Sequence, residues 1–263
     1  KDNKVRVQSI SQPRSGGGTE IDEIVLDPST TKTEHRTLVV SLLPDLYSGT
    51  GTAFSTFTSF DPTGTRVIYP VQREQIGVAL RDLTNGKELW VTYGQDGSGY
   101  FTGAIWLPDG RAAAVALLTA TKDVEIFLLD RGGGIRQLTQ LSKVYAGYSV
   151  RYPSWSSEGH YLAFWIEDTY PPSPPGLNRH LFVLDVNQGT LTNTCIEAQA
   201  SNAGGYDMWI PNTHILALSA DTNDQRTLLA IDVASSTMQT IAASDPSEKS
   251  PVLVGWTEVE TPK

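Results

Sequence analysis

The chain is poor in the features that usually fix a compartment, a cofactor or a membrane span. Its 263 residues include one cysteine, Cys195. A lone thiol cannot close an internal disulfide, and no second Cys or His stands at metal-ligand spacing from it. Buried filler at the end of an apolar strand is its expected role. No run of about 18 apolar residues occurs, so no transmembrane helix is expected. No stretch holds a 3.6-residue apolar period, so helices should be scarce. Clusters of Lys and Arg are also missing. With a net charge of −9, that argues against a nucleic-acid partner, because phosphate binding needs a basic surface. The negative charge is expected to serve solubility. The chain opens at Lys1 with no leader, as a mature form or a trimmed piece would, and this leaves room for a removed export signal or membrane anchor.

What the chain does have is scattered glycine and proline, 23 and 15 residues, which suits many short strands joined by turns. Folded as one unit it would bury roughly 70–75% of its extended-chain surface, enough for a core without staples. A single domain over 1–263 is expected.

The turns recur with a period. An aromatic closes an apolar strand, a tight turn follows, and a second apolar strand leaves. The unit appears at Phe60–Gly64, Trp106–Gly110, Trp155–Gly159, Trp209–Thr213 and Trp256, with spacings of 46, 49, 54 and 47 residues between the aromatics. A second marker alternates with it, an apolar run ending in aspartate at Asp27, Asp82, Asp130, Asp185 and Asp232. A turn-like segment follows each of the last four, and an aspartate there can accept bonds from its own downstream backbone. Each period therefore holds four strands: A ends in the aromatic, B follows the turn, C ends in Asp, and D follows the next turn. Four strands at a spacing of about 45 residues are the pattern of a β-propeller.

The ends of the chain fit together in this scheme. Trp256 ends an A strand that has no B, C or D after it. Val5–Ile10, Ile24–Asp27 and Arg36–Leu42 read as the missing three. The expectation is an all-β propeller of five four-stranded blades, the last one closed by the N-terminal strands together with the C-terminal A strand. Closure would remove the open sheet edges. A longer parent chain with more blades is the alternative.

The aromatic-turn units and Asp-ended strands resemble the PD40, or WD40-like, repeat of TolB-like proteins and of the propeller domains of dipeptidyl peptidase IV and prolyl oligopeptidases. The likeness covers nearly the whole chain, with departures at Trp209–Thr213, which lacks Asp-Gly, and after Trp256. It implies a propeller fold and says little about function, since such propellers serve as docking platforms, substrate gates and enzymes. The peptidases carry a separate hydrolase domain. Here no Gly-x-Ser-x-Gly elbow exists, so nothing of peptidase catalysis carries over.

Few residues suggest chemistry. His160 and His214 sit at equivalent positions on different blades, which argues against a shared metal. Asp96–Gly99 and Asp221–Asp224 look faintly like calcium loops but lack an EF-hand's alternating ligands, so turns are expected. No metal and no cofactor is expected. A glycosidase would need two carboxylates about 5–10 Å apart on the inner strands. The five A strands contain one carboxylate, Asp207, and one cation, Arg151.

Strand parity separates the two faces. The A–B and C–D turns emerge on one, the D–A and B–C connections on the other. The latter collects Tyr100, Tyr148, Tyr206 and Asp207, together with the proline-rich B–C insertion 168–176 that carries Tyr170. Such an insertion stiffens and protrudes. Repeated Gly-Tyr has the composition of an interaction surface. The alternative is that these tyrosines pack between blades.

The expected function is a non-catalytic module, a monomer, periplasmic or extracellular and bacterial, that docks a protein or peptide on the tyrosine-bearing face. Candidate contacts are Tyr100, Tyr148, Arg151, Tyr170, Tyr206 and Asp207. The alternatives are a channel-mouth hydrolase of glycosidase or lactonase type using Asp207 and Arg151, and a structural ectodomain of a larger membrane-anchored protein.

Overall fold

A computed structural model describes residues 5–11, 20–27, 30, 32–39, 45, 58–93, 101–119, 121, 123–145, 147–168, 178–199, 208–222 and 225–243. Within them the chain is all-β. The N-terminal strands β1 (Val5–Ser11), β2 (Glu20–Asp27) and β3 (Lys32–Val39) form a three-stranded antiparallel sheet. Four four-stranded antiparallel sheets follow. The first holds β4 (Ser59–Phe60), β5 (Arg66–Gln72), β6 (Ile76–Asp82) and β7 (Glu88–Tyr93). The second holds β8 (Phe101–Trp106), β9 (Ala112–Leu118), β10 (Val124–Asp130) and β11 (Ile135–Gln137). The third holds β12 (Tyr148–Trp155), β13 (Tyr161–Asp168), β14 (Asn178–Asp185) and β15 (Thr190–Gln199). The fourth holds β16 (Met208–Trp209), β17 (Ile215–Thr222), β18 (Gln225–Asp232) and β19 (Thr237–Ala243). Sequential neighbours pair in every sheet, as the A-B-C-D pattern requires. The N-terminal sheet has three strands, the number that the sequence pattern assigns there. Trp256, whose strand would complete it, lies outside the described residues. The one helical element described is a 3-10 turn at Leu141–Lys143, and no described helix is long and apolar enough to cross a membrane.

The B and C strands of the second and third four-stranded sheets are apolar on both sides because each of these sheets is packed between two others. In β9, Ala112, Ala114 and Ala116 face the third sheet, where Phe164, Phe182 and Trp155 fill the space that small side chains leave. Ala113, Val115 and Leu117 face Ile68, Val78 and Leu80 of the first. In the third sheet, Trp165, Leu181 and Val183 pack on Leu216, Leu218 and Ile231 of the fourth.

Three of the aromatics that end A strands do more than fill volume. The indole N–H of Trp106 donates to the Ser59 carbonyl (3.1 Å), that of Trp155 to Ile105 (3.0 Å) and that of Trp209 to Ser154 (3.2 Å). The acceptor is always the residue just before the preceding sheet's aromatic. Each such bond contributes about 0.5–1.5 kcal/mol and pins one sheet to the next. Asp61 and Arg131 add a second pin between the first two sheets, an ion pair at 2.7 Å in which the carboxylate is buried.

The aspartate markers play the turn role expected of them. Asp82 accepts from the Thr84 N–H, Asp130 from Gly132 and Gly134, Asp185 from Asn187 and Gln188, and Asp232 from Ala234 and Ser235. The side chain of Asp27 lies outside the described residues. The A–B and C–D turns share one face, since Leu83 N–H bonds Thr65 O, Arg131 bonds Arg111, Val186 bonds His160 and Val233 bonds His214. Three A–B turns end on a glycine of positive φ, Gly110 at 70° among them. The fourth turn, which lacks that glycine, moves the left-handed residue one place earlier onto Asn212 (φ 59°), a side chain that tolerates it.

One expectation fails. Cys195 is exposed, not buried. It sits in β15 with φ 59°, its N–H donating to the Asn193 side chain at 2.8 Å. That turned backbone carries the thiol out of the apolar alternation, and Ile196 takes the buried place.

Candidate binding site

The D–A/B–C face is described best at the third sheet. Its inner strand, β12, carries Pro153, which has no N–H to give the ladder. Pairing with β13 shifts there, Arg151 opposing Trp165 and Ser154 opposing Ala163. The extra residue is Tyr152, with φ 50° and 47% exposed. At the same place in the second sheet, three residues before the closing Trp, stands Gly103 with φ 128°, also in a bulge. Glycine takes such a backbone at no steric cost. An aromatic there costs of order 1–3 kcal/mol and persists because its surroundings demand it.

Those surroundings are charged. Glu167 on β13 and Arg179 on β14 are directly paired across the strands, and both are buried. Arg151 Nε donates to Glu167 Oε2 at 3.1 Å, and Arg179 Nη2 donates to Glu167 Oε1 at 3.3 Å. The Arg179 guanidinium lies over the Tyr152 ring, 5.3 Å from its centroid. This distance gives a cation–π contact worth about 0.5–2 kcal/mol. The result is a small assembly of a strained, solvent-facing tyrosine, a guanidinium behind it, and one carboxylate shared by two arginines.

Of the residues singled out in the sequence, Arg151 is at the centre of this assembly. Tyr148 is close in sequence but buried, and its hydroxyl donates to the Val124 carbonyl at 2.8 Å. Its ring packs edge-on to Tyr145. Burial first, then the charge of Glu125, pushes the Tyr148 hydroxyl above the usual phenol range. Tyr148 is thus a packing residue between the second and third sheets, as the alternative for these tyrosines has it, and not a surface contact. Tyr100, Tyr170, Tyr206 and Asp207 lie outside the described residues, as does nearly all of the proline-rich insertion. Tyr206 stands three residues before Trp209, the place Tyr152 holds before Trp155.

Glu167 and Arg179 sit on B and C strands, not on the inner strands where the sequence pattern points to carboxylates and cations. Parity could have found them. Glu167 shares a side of β13 with the apolar Ala163 and Trp165, so a charge at that position had to be paired. Among the described residues, no group of three His, Cys, Asp or Glu side chains is placed to hold a metal ion. His160 and His214 are both exposed on separate sheets.

No protein-family model matches the chain. Solved structures do resemble it. TolB from Acinetobacter baumannii superposes with a TM-score of 0.51 at 16% identity, over 89% of this chain and 50% of that one. The chain shares a propeller fold. A Bacteroides ovatus protein named as a dipeptidyl aminopeptidase IV gives a TM-score of 0.50 at 14% identity, over 94% of this chain and 38% of the other. The chain spans half the length of the first protein and less of the second. At these identities the likeness speaks for the fold alone.

Proposed function

We propose that this chain is a non-catalytic binding module of the PD40 type. It forms one domain of five blades, the last closed by the strand at Trp256, and it docks a protein or peptide on the D–A/B–C face in an extracytoplasmic setting. The observation that carries this is Tyr152. A left-handed backbone under an exposed aromatic, where the preceding sheet uses glycine, is strain retained at the surface. Strain of this kind clusters at ligand clamps, and tyrosine suits recognition because it offers a rigid, amphipathic contact. The sequence places the proline insertion and Tyr206-Asp207 next to the same ends of β13 and β16.

A hydrolytic site is supported less well. The one carboxylate in the assembly, Glu167, is buried and already accepts from two guanidiniums. A general base needs a free lone pair within reach of its proton.

Selection of a displayed random-peptide library on the immobilised chain tests the reading. Enriched peptides should bind the wild type, lose affinity by about tenfold or more in Arg151→Ala and Tyr152→Ala, and keep it in Glu158→Ala and Arg111→Ala on the opposite turns. Peptides indifferent to both faces would overturn the assignment. Turnover in a glycoside and lactone screen would move the chain to the hydrolase reading.

A further inference from the structure

The side of the third sheet that meets the fourth holds a second, independent observation. Register puts Ser149 opposite Glu167, Glu167 opposite Arg179, and Arg151 opposite Trp165. Paired residues of an antiparallel sheet share a side, as do residues two apart along a strand. Ser149, Arg151, Trp165, Glu167 and Arg179 therefore point into the space between the third and fourth sheets, where Trp165 and Leu216 belong to one apolar cluster. Three hydrogen-bonding atoms in that gap are buried without a partner: Ser149 Oγ, Trp165 Nε1 and Arg179 Nε. Their residues are 1%, 1% and 8% exposed.

Orphaned buried donors cost about 1–3 kcal/mol each, and more when charged, so three on one wall are not idle packing. Their chemistry is uniform. The indole and the guanidinium can only donate, and the hydroxyl can donate. Among the described residues two guanidiniums face a single carboxylate on this wall, a surplus of positive charge in a chain of net charge −9. A set of donors with excess positive charge recognises a planar anion that accepts at both oxygens.

We infer that this gap is the seat of a carboxylate belonging to the docked ligand, an inference that rests on the binding reading above. Glu167 acts as the internal stand-in. It holds the two arginines in place while the site is empty, and the incoming carboxylate shares them. Tyr152, with its ring against Arg179, forms the outer wall. Either a chain-terminal carboxylate or an Asp or Glu side chain could supply the group.

The test uses the intact chain labelled with 15N, following the Arg179 Nε–H and Trp165 Nε1–H resonances. Three probes are titrated: N-acetyl-glycyl-glycine, its C-terminal amide, and N-acetyl-glutamyl-glycinamide. Both N–H signals should move downfield with at least one free-carboxylate probe and stay put with the plain amide. The arm that saturates at lower concentration names the source as terminal or side-chain. Arg151→Gln, which leaves the Glu167–Arg179 pair intact, should weaken binding about tenfold, the value of one charge-assisted bond. Glu167→Gln should tighten it by a similar factor, because the competing internal anion is gone. A salt bridge that serves structure alone would show no such gain. The inference is overturned if no probe moves either resonance, if chloride moves them as well as the carboxylates do, or if Glu167→Gln weakens binding. In each of those cases library peptides that still depend on Arg151 and Tyr152 would leave the docking function standing.

Discussion

Glu125 offers a quantitative check on how the second sheet hands the chain to the third. It is 1% exposed on β10, and its carboxylate serves three donors. Oε2 accepts from Thr139 Oγ1 (2.6 Å) and Leu141 N–H (2.8 Å), and Oε1 from Ser142 N–H (2.9 Å). These bonds fix the 3-10 turn Leu141–Lys143, from which the chain runs into Tyr148 and the inner strand of the candidate site. In Glu125→Gln one oxygen becomes an NH2. The better orientation keeps the oxygen toward Thr139 and Leu141 and sets the NH2 against the Ser142 N–H, donor facing donor. One bond to a charged acceptor is lost, about 1.5–3 kcal/mol. The other two weaken as the charge disappears, since charge-assisted bonds are roughly twice as strong as neutral ones. Ser142 is near the surface and can turn partly to water, which trims the cost. The expected loss is about 2–3 kcal/mol, or a fall in Tm of about 4–10 °C for a chain of this size. Guanidinium unfolding followed by tryptophan fluorescence, with calorimetry to check two-state behaviour, measures it. Amide exchange at Leu141 and Ser142 should accelerate before any other site. A loss below about 0.5 kcal/mol, no larger than for the exposed Glu158→Gln, would refute the claim that this carboxylate organises the turn.

Other expectations are shorter to state. Trp155→Phe removes the N–H that reaches Ile105 O and part of a buried ring, and should cost about 1–3 kcal/mol in the same unfolding assay. Ser236 holds φ 54° in an exposed C–D turn where the first three sheets use glycine, so Ser236→Gly should stabilise by about 0.5–1 kcal/mol. Stability should decline in acid. Hydrogen bonds from Thr84 hold the Asp82 carboxyl below the usual carboxylate range, and those from Ser235 do the same for Asp232. A depressed folded-state pKa stabilises above the unfolded value and is lost as pH falls through the folded one. The loss should therefore set in near pH ~4 and deepen below it. Asp82→Asn combined with Asp232→Asn should flatten that limb, which urea midpoints measured from neutral to acid pH will show.

The architecture was legible because it is periodic. Four strands per unit, Asp-ended C strands and turn residues at fixed offsets are local signals, and the B strands Arg66–Gln72 and Ala112–Leu118 fall where the pattern puts them. The indole bonds were not legible, because a tryptophan ending a strand looks like filler until its neighbour's carbonyl is placed. Tyr152 was hidden for a related reason. Its importance is a backbone angle, and only Pro153 hinted that the inner strand breaks there. Glu167 and Arg179 belong to strands outside the inner ones, yet long side chains on strands B and C reach β12. Cys195 misled because hydrophobic alternation assumes an unbroken strand, and a positive φ reverses which residue faces inward.

The indole contacts between sheets have a property that reaches past stability. The donor is a side chain, but the acceptor is main chain, so the receiving unit needs no particular residue: Ser59, Ile105 and Ser154 serve equally. A gene segment that encodes one unit with its own tryptophan therefore carries its own means of attachment. It can be duplicated or moved, and its predecessor need not change to accept it. The unit that begins with Phe60 is the exception, because phenylalanine has no N–H to offer backward.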